Sequence, residues 1–133
     1  MDELYDILFL ENHTERSTLI KDIAKIRKLK IRINYTLEEF VITLKQDNAK
    51  IYVIDGMFPK RPDEAAWFYA KDAIDIIRQQ KGMDVPIILY SFPTRYVSRI
   101  EFVEMANRLQ VQYIEKEVDS VSRLFEAVNS LKK

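Results

Sequence analysis

Ile51-Tyr52-Val53-Ile54-Asp55-Gly56-Met57-Phe58-Pro59 opens with four apolar residues and then breaks abruptly on an acid and a glycine. The first four are β-branched or aromatic, types that suit a pleated surface. They show no polar alternation, which predicts a strand covered on both faces, as in a parallel sheet. Tyr5-Asp6-Ile7-Leu8-Phe9-Leu10 and Ile87-Ile88-Leu89-Tyr90 read the same way. Ile31-Arg32-Ile33-Asn34-Tyr35 and Val111-Gln112-Tyr113-Ile114 alternate more, so these two strands are expected to be more exposed.

Segments of helical period separate the runs. Leu19, Ile20, Ile23, Ala24 and Ile26 predict a helix from about Glu15 to Leu29. Thr36 to Glu39 reads as a capping box opening a helix with Phe40, Val41 and Leu44. Pro62-Asp63 is expected to open the longest helix, through Ala66, Ala70, Ala73, Ile74 and Ile77, with Gly82 as a left-handed C′ residue. Pro93-Thr94 is expected to open a fourth, with Val97, Ile100, Val103 and Leu109. Asp119 is expected to cap a fifth, with Val121, Leu124, Phe125, Val128 and Leu131. The pattern is βα five times over: an α/β fold with a five-stranded parallel, doubly wound, flavodoxin-like sheet. An eight-stranded barrel would need roughly 200 residues or more.

Composition narrows the function. The chain has 133 residues, 47% of them apolar, with 21 basic and 21 acidic side chains and no cysteine. Residues 1–133 read as one domain with a core of ordinary size. Zero net charge gives no support to nucleic-acid binding. Disulfides and thiolate metal sites are excluded. The longest purely apolar run, Ala65 to Ala70, is far short of the roughly 20 residues a spanning helix needs, so no membrane association is expected. Met1-Asp2-Glu3 is acidic and no apolar stretch follows it, unlike a secretory signal. A cytoplasmic domain is expected, one whose fifth helix ends at the last residue with no DNA-binding segment after it.

In open parallel sheets chemistry gathers at the carboxyl ends of the strands. Those ends carry Glu11-Asn12, Asp55, Ser91 and Lys116. Two carboxylates, a hydroxyl and an ammonium on one rim suit phosphoryl transfer to a carboxylate. Asp55 would attack phosphorus, Lys116 would neutralise the incoming oxygens and Ser91 would donate to one of them. A divalent cation would fit among the carboxylates. A turn role for Asp55-Gly56 is the plainer alternative, since the pair is common in turns. His13, the only histidine, is a poor metal signal without a second imidazole. Trp67-Phe68-Tyr69, read as helical, cannot all face the sheet. One or two are expected in the core and one half exposed, with a partner surface as the alternative. Lys60-Arg61 are candidates for steering an acidic or phosphorylated partner.

These residues resemble the receiver domain of two-component response regulators, of the chemotaxis type. Asp55-Gly56-Met57-Phe58-Pro59 is similar to that family's phospho-acceptor loop, Val85-Pro86-Ile87-Ile88-Leu89-Tyr90-Ser91 to its fourth strand, and Tyr113-Ile114-Glu115-Lys116 to its fifth. Glu11-Asn12 stands in the place of its acidic pair. The resemblance implies a phosphoryl group taken on Asp55 from a histidine kinase or phosphotransfer protein. It also implies Mg²⁺ held by Glu11, Asn12, Asp55 and the Met57 backbone carbonyl, with Ser91 and Tyr113 as coupled switch residues. Output would pass to a downstream protein target, or to a homodimer formed through helix four, strand five and helix five, where Arg95, Arg99 and Tyr113 fall. Enzymatic activity would be at most autocatalytic transfer and loss of the phosphoryl group. Three departures point to a second reading, a phosphorylation-independent pseudo-receiver acting as an interaction or dimerisation module. Asn12 replaces the second acid, which weakens the expected Mg²⁺ site. Phe92 replaces a small residue beside the cleft. Glu117 replaces a cis proline after the lysine, where a non-proline cis bond would cost about 3 kcal/mol.

Overall fold

The computed structural model describes residues 4–117 and 120–131. Five strands, β1 (Leu4–Leu10), β2 (Ile31–Asn34), β3 (Asn48–Ile54), β4 (Ile87–Ser91) and β5 (Gln112–Glu115), form one parallel sheet in the order β2-β1-β3-β4-β5. Helices α1 (Thr14–Ile26), α2 (Leu37–Gln46), α3 (Ala70–Lys81), α4 (Arg99–Leu109) and α5 (Ser120–Leu131) alternate with them. Each central strand divides its apolar residues between the two faces. Ile7, Phe9, Ile51, Val53, Ile88 and Tyr90 pack with α1 and α5, around Ile20, Ala24, Leu124 and Phe125. Leu8, Leu10, Tyr52, Ile54, Ile87 and Leu89 pack with α2, α3 and α4, around Phe40, Leu44, Ile74, Ile77 and Phe102. Two-faced burial is the reason these three strands lack alternation. The two alternating strands, β2 and β5, are the sheet edges.

Several helical expectations need correction. Residues 62–69 are not helical; α3 begins at Ala70. Phe58 is wholly buried and exchanges backbone hydrogen bonds of 3.1 Å with Trp67 in an antiparallel bridge. That bridge takes the Trp67 amide out of any helix. It leaves Trp67 exposed and Phe68 and Tyr69 half-buried, so none of the three is a core residue. Gly82 does end α3 at positive φ, but with φ 104° and ψ 167° it is not left-handed helical. Pro93-Thr94 forms its own turn, in which the Thr94 hydroxyl accepts from the Tyr96 and Val97 amides. α4 opens instead on a reciprocal capping box between Ser98 and Glu101. Its buried face is Phe102 and Ala106, while Ile100 and Val103 are exposed. On α1, likewise, Ile20 and Ala24 are buried whereas Leu19 and Ile26 face outward. Thr36 accepts from the Glu39 amide at 3.1 Å, one half of the expected capping box. The Asp119 cap lies outside the described residues. Among the described residues no helix is long and apolar enough to cross a membrane.

Candidate functional site at the carboxyl rim

From β1 the chain goes to β2 on one side and then crosses back to β3, β4 and β5 on the other, so the crevice at the carboxyl ends of β1 and β3 is the switch point. Backbone pairing carries the sheet one residue further at each site position. Glu11 N–H donates to Asn34 at 3.0 Å, Asp55 N–H to Leu10 at 2.8 Å and Lys116 N–H to Ser91 at 2.9 Å. The three charged side chains are therefore placed by strands, not by loops. Lys116 Nζ lies 2.6 Å from Glu11 Oε1 and 3.1 Å from Asp55 Oδ2. Lys116 and Asp55 are each only 2% exposed and Glu11 1%. Two buried carboxylates thus share one buried ammonium, the arrangement that makes such charges tolerable in a core.

Other expected site residues take less direct places. Asn12 meets Asp55 through its backbone amide, 3.4 Å from Oδ2, and Met57 through its amide, 3.5 Å from Oδ1. Ser91 is buried against Gly56, and its hydroxyl donates to the Phe92 carbonyl at 3.3 Å. The Tyr113 hydroxyl donates to the Ser91 carbonyl at 3.3 Å, while its ring stacks on Phe102 at 5.6 Å. Burial pushes the Tyr113 hydroxyl up to about 12. No peptide bond among the described residues is cis, so Lys116–Glu117 is trans. Glu117 is exposed and pairs with Arg123 at 2.8 Å. Lys60 lies over the Tyr69 ring and Arg61 pairs with Glu38, so both loop cations have local partners.

Phe92, His13 and Arg16 gather above this cleft and form its roof. The Phe92 ring centroid is 5.5 Å from Lys116 Nζ and 5.2 Å from the Arg16 guanidinium. His13 meets Phe92 edge-on at 5.5 Å and brings Nε2 to 3.9 Å from Asp55 Oδ2. Arg16 donates to the Tyr90 hydroxyl at 2.9 Å and to Ser120 Oγ at 3.2 Å, tying α1 to β4 and α5. His13 adjoins Glu11-Asn12 in the chain, which places it near the rim. Arg16 and Tyr90 carry no such signal, because only the tertiary fold brings residues 74 positions apart into contact.

Burial, reinforced by Asp55, pushes the Glu11 carboxyl up from 4.5 to about 7, with Lys116 pulling the other way. Burial lowers the His13 imidazole, and Lys116 adds to that. The folded chain therefore holds the Glu11 proton in a range where the unfolded chain releases it. Stability from this group is complete below pH 4.5 and is lost as pH rises through about 7. Glu11→Gln, which cannot titrate, should gain on the wild type by up to about 3 kcal/mol between pH 4.5 and 8. Urea unfolding at both pH values measures it. A wild-type–variant difference that does not move with pH would mean that folding leaves the Glu11 carboxyl unshifted.

Mg²⁺ prefers an octahedron of oxygens and retains several waters. The donors here suit it poorly. Both carboxylates already contact one ammonium. Position 12 supplies an amide where an acid would add charge. A third side-chain donor beside them, His13, is an imidazole nitrogen.

No family model matches the sequence, and no curated protein sequence matches it either. Solved structures do. The receiver domain of the Francisella response regulator 1452 superposes with a TM-score of 0.74 at 20% identity, covering 96% of this chain and 95% of that one. A response regulator receiver protein from Pseudomonas putida gives 0.72 at 22%, covering 98% of each. The non-phosphorylated HemR receiver domain from Leptospira biflexa gives 0.72 at 14%, covering 99% and 96%. The chain therefore has the CheY-like fold of response regulator receiver domains, as the order of its elements implied.

Proposed function

We propose that the chain is a phospho-acceptor receiver module. Asp55 takes a phosphoryl group from a phosphohistidine on a histidine kinase or phosphotransfer protein. A carboxylate oxygen of Asp55 forms the new bond to phosphorus as the P–N bond breaks. The donor imidazole keeps that electron pair and departs neutral, its other nitrogen carrying a proton. One observation carries this reading: the buried Lys116 ammonium sits 3.1 Å from the Asp55 carboxylate at the switch point. It is positioned to pass from the carboxylate to the phosphoryl oxygens, a fixed charge that needs no reorganisation. Mg²⁺ would bind weakly at such a donor set, so Lys116 would carry more of the neutralisation of the phosphoryl oxygens. With the phosphoryl group in place, the Ser91 hydroxyl turns from the Phe92 carbonyl to a phosphoryl oxygen. Tyr113, bonded to the Ser91 carbonyl, shifts with it. The output passes through α4, β5 and α5 to a cytoplasmic protein target or a second copy of the chain.

A second reading rests on the roof. Asp55 is 2% exposed beneath Phe92 and His13, which closes the approach a donor needs. A pseudo-receiver that docks partners without phosphorylation would tolerate that closure. Incubation with a small phosphodonor, read by intact mass, decides between the two. One added phosphoryl group on the wild type, absent from Asp55→Asn, is the expected result. An unmodified wild type whose Phe92→Ala variant is also unmodified would establish the pseudo-receiver.

A further inference from the structure

The roof and the carboxylates together form something that phosphoryl chemistry does not require. Glu11, His13 and Asp55 each offer one ligand atom, and the three atoms lie within 4.8 Å of one another. Two come from strand ends and are held rigidly. The third hangs from the start of α1, is half exposed, and is steadied edge-on by Phe92. Coordination at about 2.0 Å in a tetrahedron places ligand atoms about 3.3 Å apart, and His13 Nε2, on an exposed side chain free to rotate, already lies 3.9 Å from Asp55 Oδ2. The backbone already helps, since the His13 amide donates to Glu11 Oε1 at 3.3 Å.

The identity of the ion follows from the donors. Binding of a hard cation is almost purely ionic, and Lys116 on both carboxylates subtracts from that attraction. An imidazole nitrogen adds covalent donation, which the ammonium does not cancel and which Mg²⁺ exploits poorly. We propose that Glu11, His13 and Asp55 form a site for a borderline divalent transition ion, of the Zn²⁺ and Co²⁺ class, in preference to Mg²⁺. One or more water molecules complete the coordination. The proposal is independent of whether Asp55 accepts a phosphoryl group.

His13 is the only histidine and the chain has no cysteine, so a tag-free preparation gives a clean measurement. Co²⁺ is titrated into the full chain and followed by its visible d–d absorption, with Zn²⁺ and Mg²⁺ as competitors. Zn²⁺ should displace Co²⁺ stoichiometrically, and Mg²⁺ should fail to do so at an excess of about a hundredfold. His13→Gln should weaken Co²⁺ by about tenfold or more and leave Mg²⁺ affinity within about twofold. Asp55→Asn should also weaken Co²⁺, which separates a three-ligand site from binding by a surface imidazole. Circular dichroism confirms that each variant is folded. Equal Co²⁺ affinity in wild type and His13→Gln, or in wild type and Asp55→Asn, would overturn the site, as would displacement of Co²⁺ by equimolar Mg²⁺. No phosphodonor enters the measurement, so its failure and a failure to phosphorylate Asp55 are separate results.

Discussion

Lys116→Met should destabilise the fold by about 3–5 kcal/mol at pH 8, the expected penalty for breaking a buried ion pair by removing one partner. The side chain is fully buried, and its ammonium is shared by carboxylates that are themselves shielded from water. Removing it leaves two like charges facing each other with no counterion, beneath the rings of Tyr90 and Phe92. The chain has one outlet, which is to protonate Glu11, whose carboxyl is already pushed up to about 7. The loss should therefore shrink when unfolding is measured at pH 5. The double variant Lys116→Met, Glu11→Gln should recover a large part of the stability even at pH 8, because only Asp55 then stays charged. Such non-additivity is the mark of residues sharing one network. Urea midpoints for the wild type, both single variants and the double variant test it. Strictly additive losses would show that the ammonium contributes by packing and not by charge.

The members of that charge network are partly legible in the sequence itself. Glu11, Asp55, Ser91 and Lys116 each sit where an apolar strand runs out, so finding the strands also found the rim. The three central strands were the clearest because burial on both faces leaves unbroken apolar stretches at Ile7–Leu10, Ile51–Ile54 and Ile87–Tyr90. Helix boundaries were harder. The stretch from Pro62 to Tyr69 has helical periodicity, yet one antiparallel bridge from Phe58 to Trp67 overrides it. Phe58 is anchored in the core, and the loop must return to it; local propensity carries no record of that demand. On α4, Ile100 and Val103 looked like core residues by composition. The real inward face is set by Phe102 packing on Tyr113, a contact between residues far apart in the chain. Phe92 and Glu117 were noticed because they depart from a pattern, but their geometry was not readable: the first roofs the cleft, and the second turns away to Arg123. His13 was set aside for want of a second imidazole, although the missing partners of an imidazole can equally be carboxylates.

Gly56 gives the second large effect, and its reason differs from the one its sequence context suggests. Asp-Gly is a turn pair, which would make this glycine a matter of backbone freedom. Its φ is not positive, so alanine could adopt the same backbone without strain. What forbids alanine is space. A Cβ at position 56 would lie 2.8 Å from Ser91 Cβ and 2.9 Å from Phe102 Cε1, and closer still to Ser91 Oγ. These are not the loose ends of long side chains. Ser91 is fixed at the end of β4, and the Phe102 ring is buried and stacked on Tyr113. Gly56→Ala should therefore destabilise the fold by about 2–3 kcal/mol, in the range of an overpacked core. It should also displace Ser91 and disturb the Tyr113 hydroxyl bonded to the Ser91 carbonyl. Adding Ser91→Gly removes two of the three close contacts, so the double variant should recover part of the stability while losing the hydroxyl. Thermal unfolding of the two single variants and the double variant measures this coupling. If Ser91→Gly only adds its own loss to that of Gly56→Ala, the steric explanation is wrong. Recovery would identify Gly56 and Ser91 as a complementary pair, the first kept small so that the side chain of the second can pack against it.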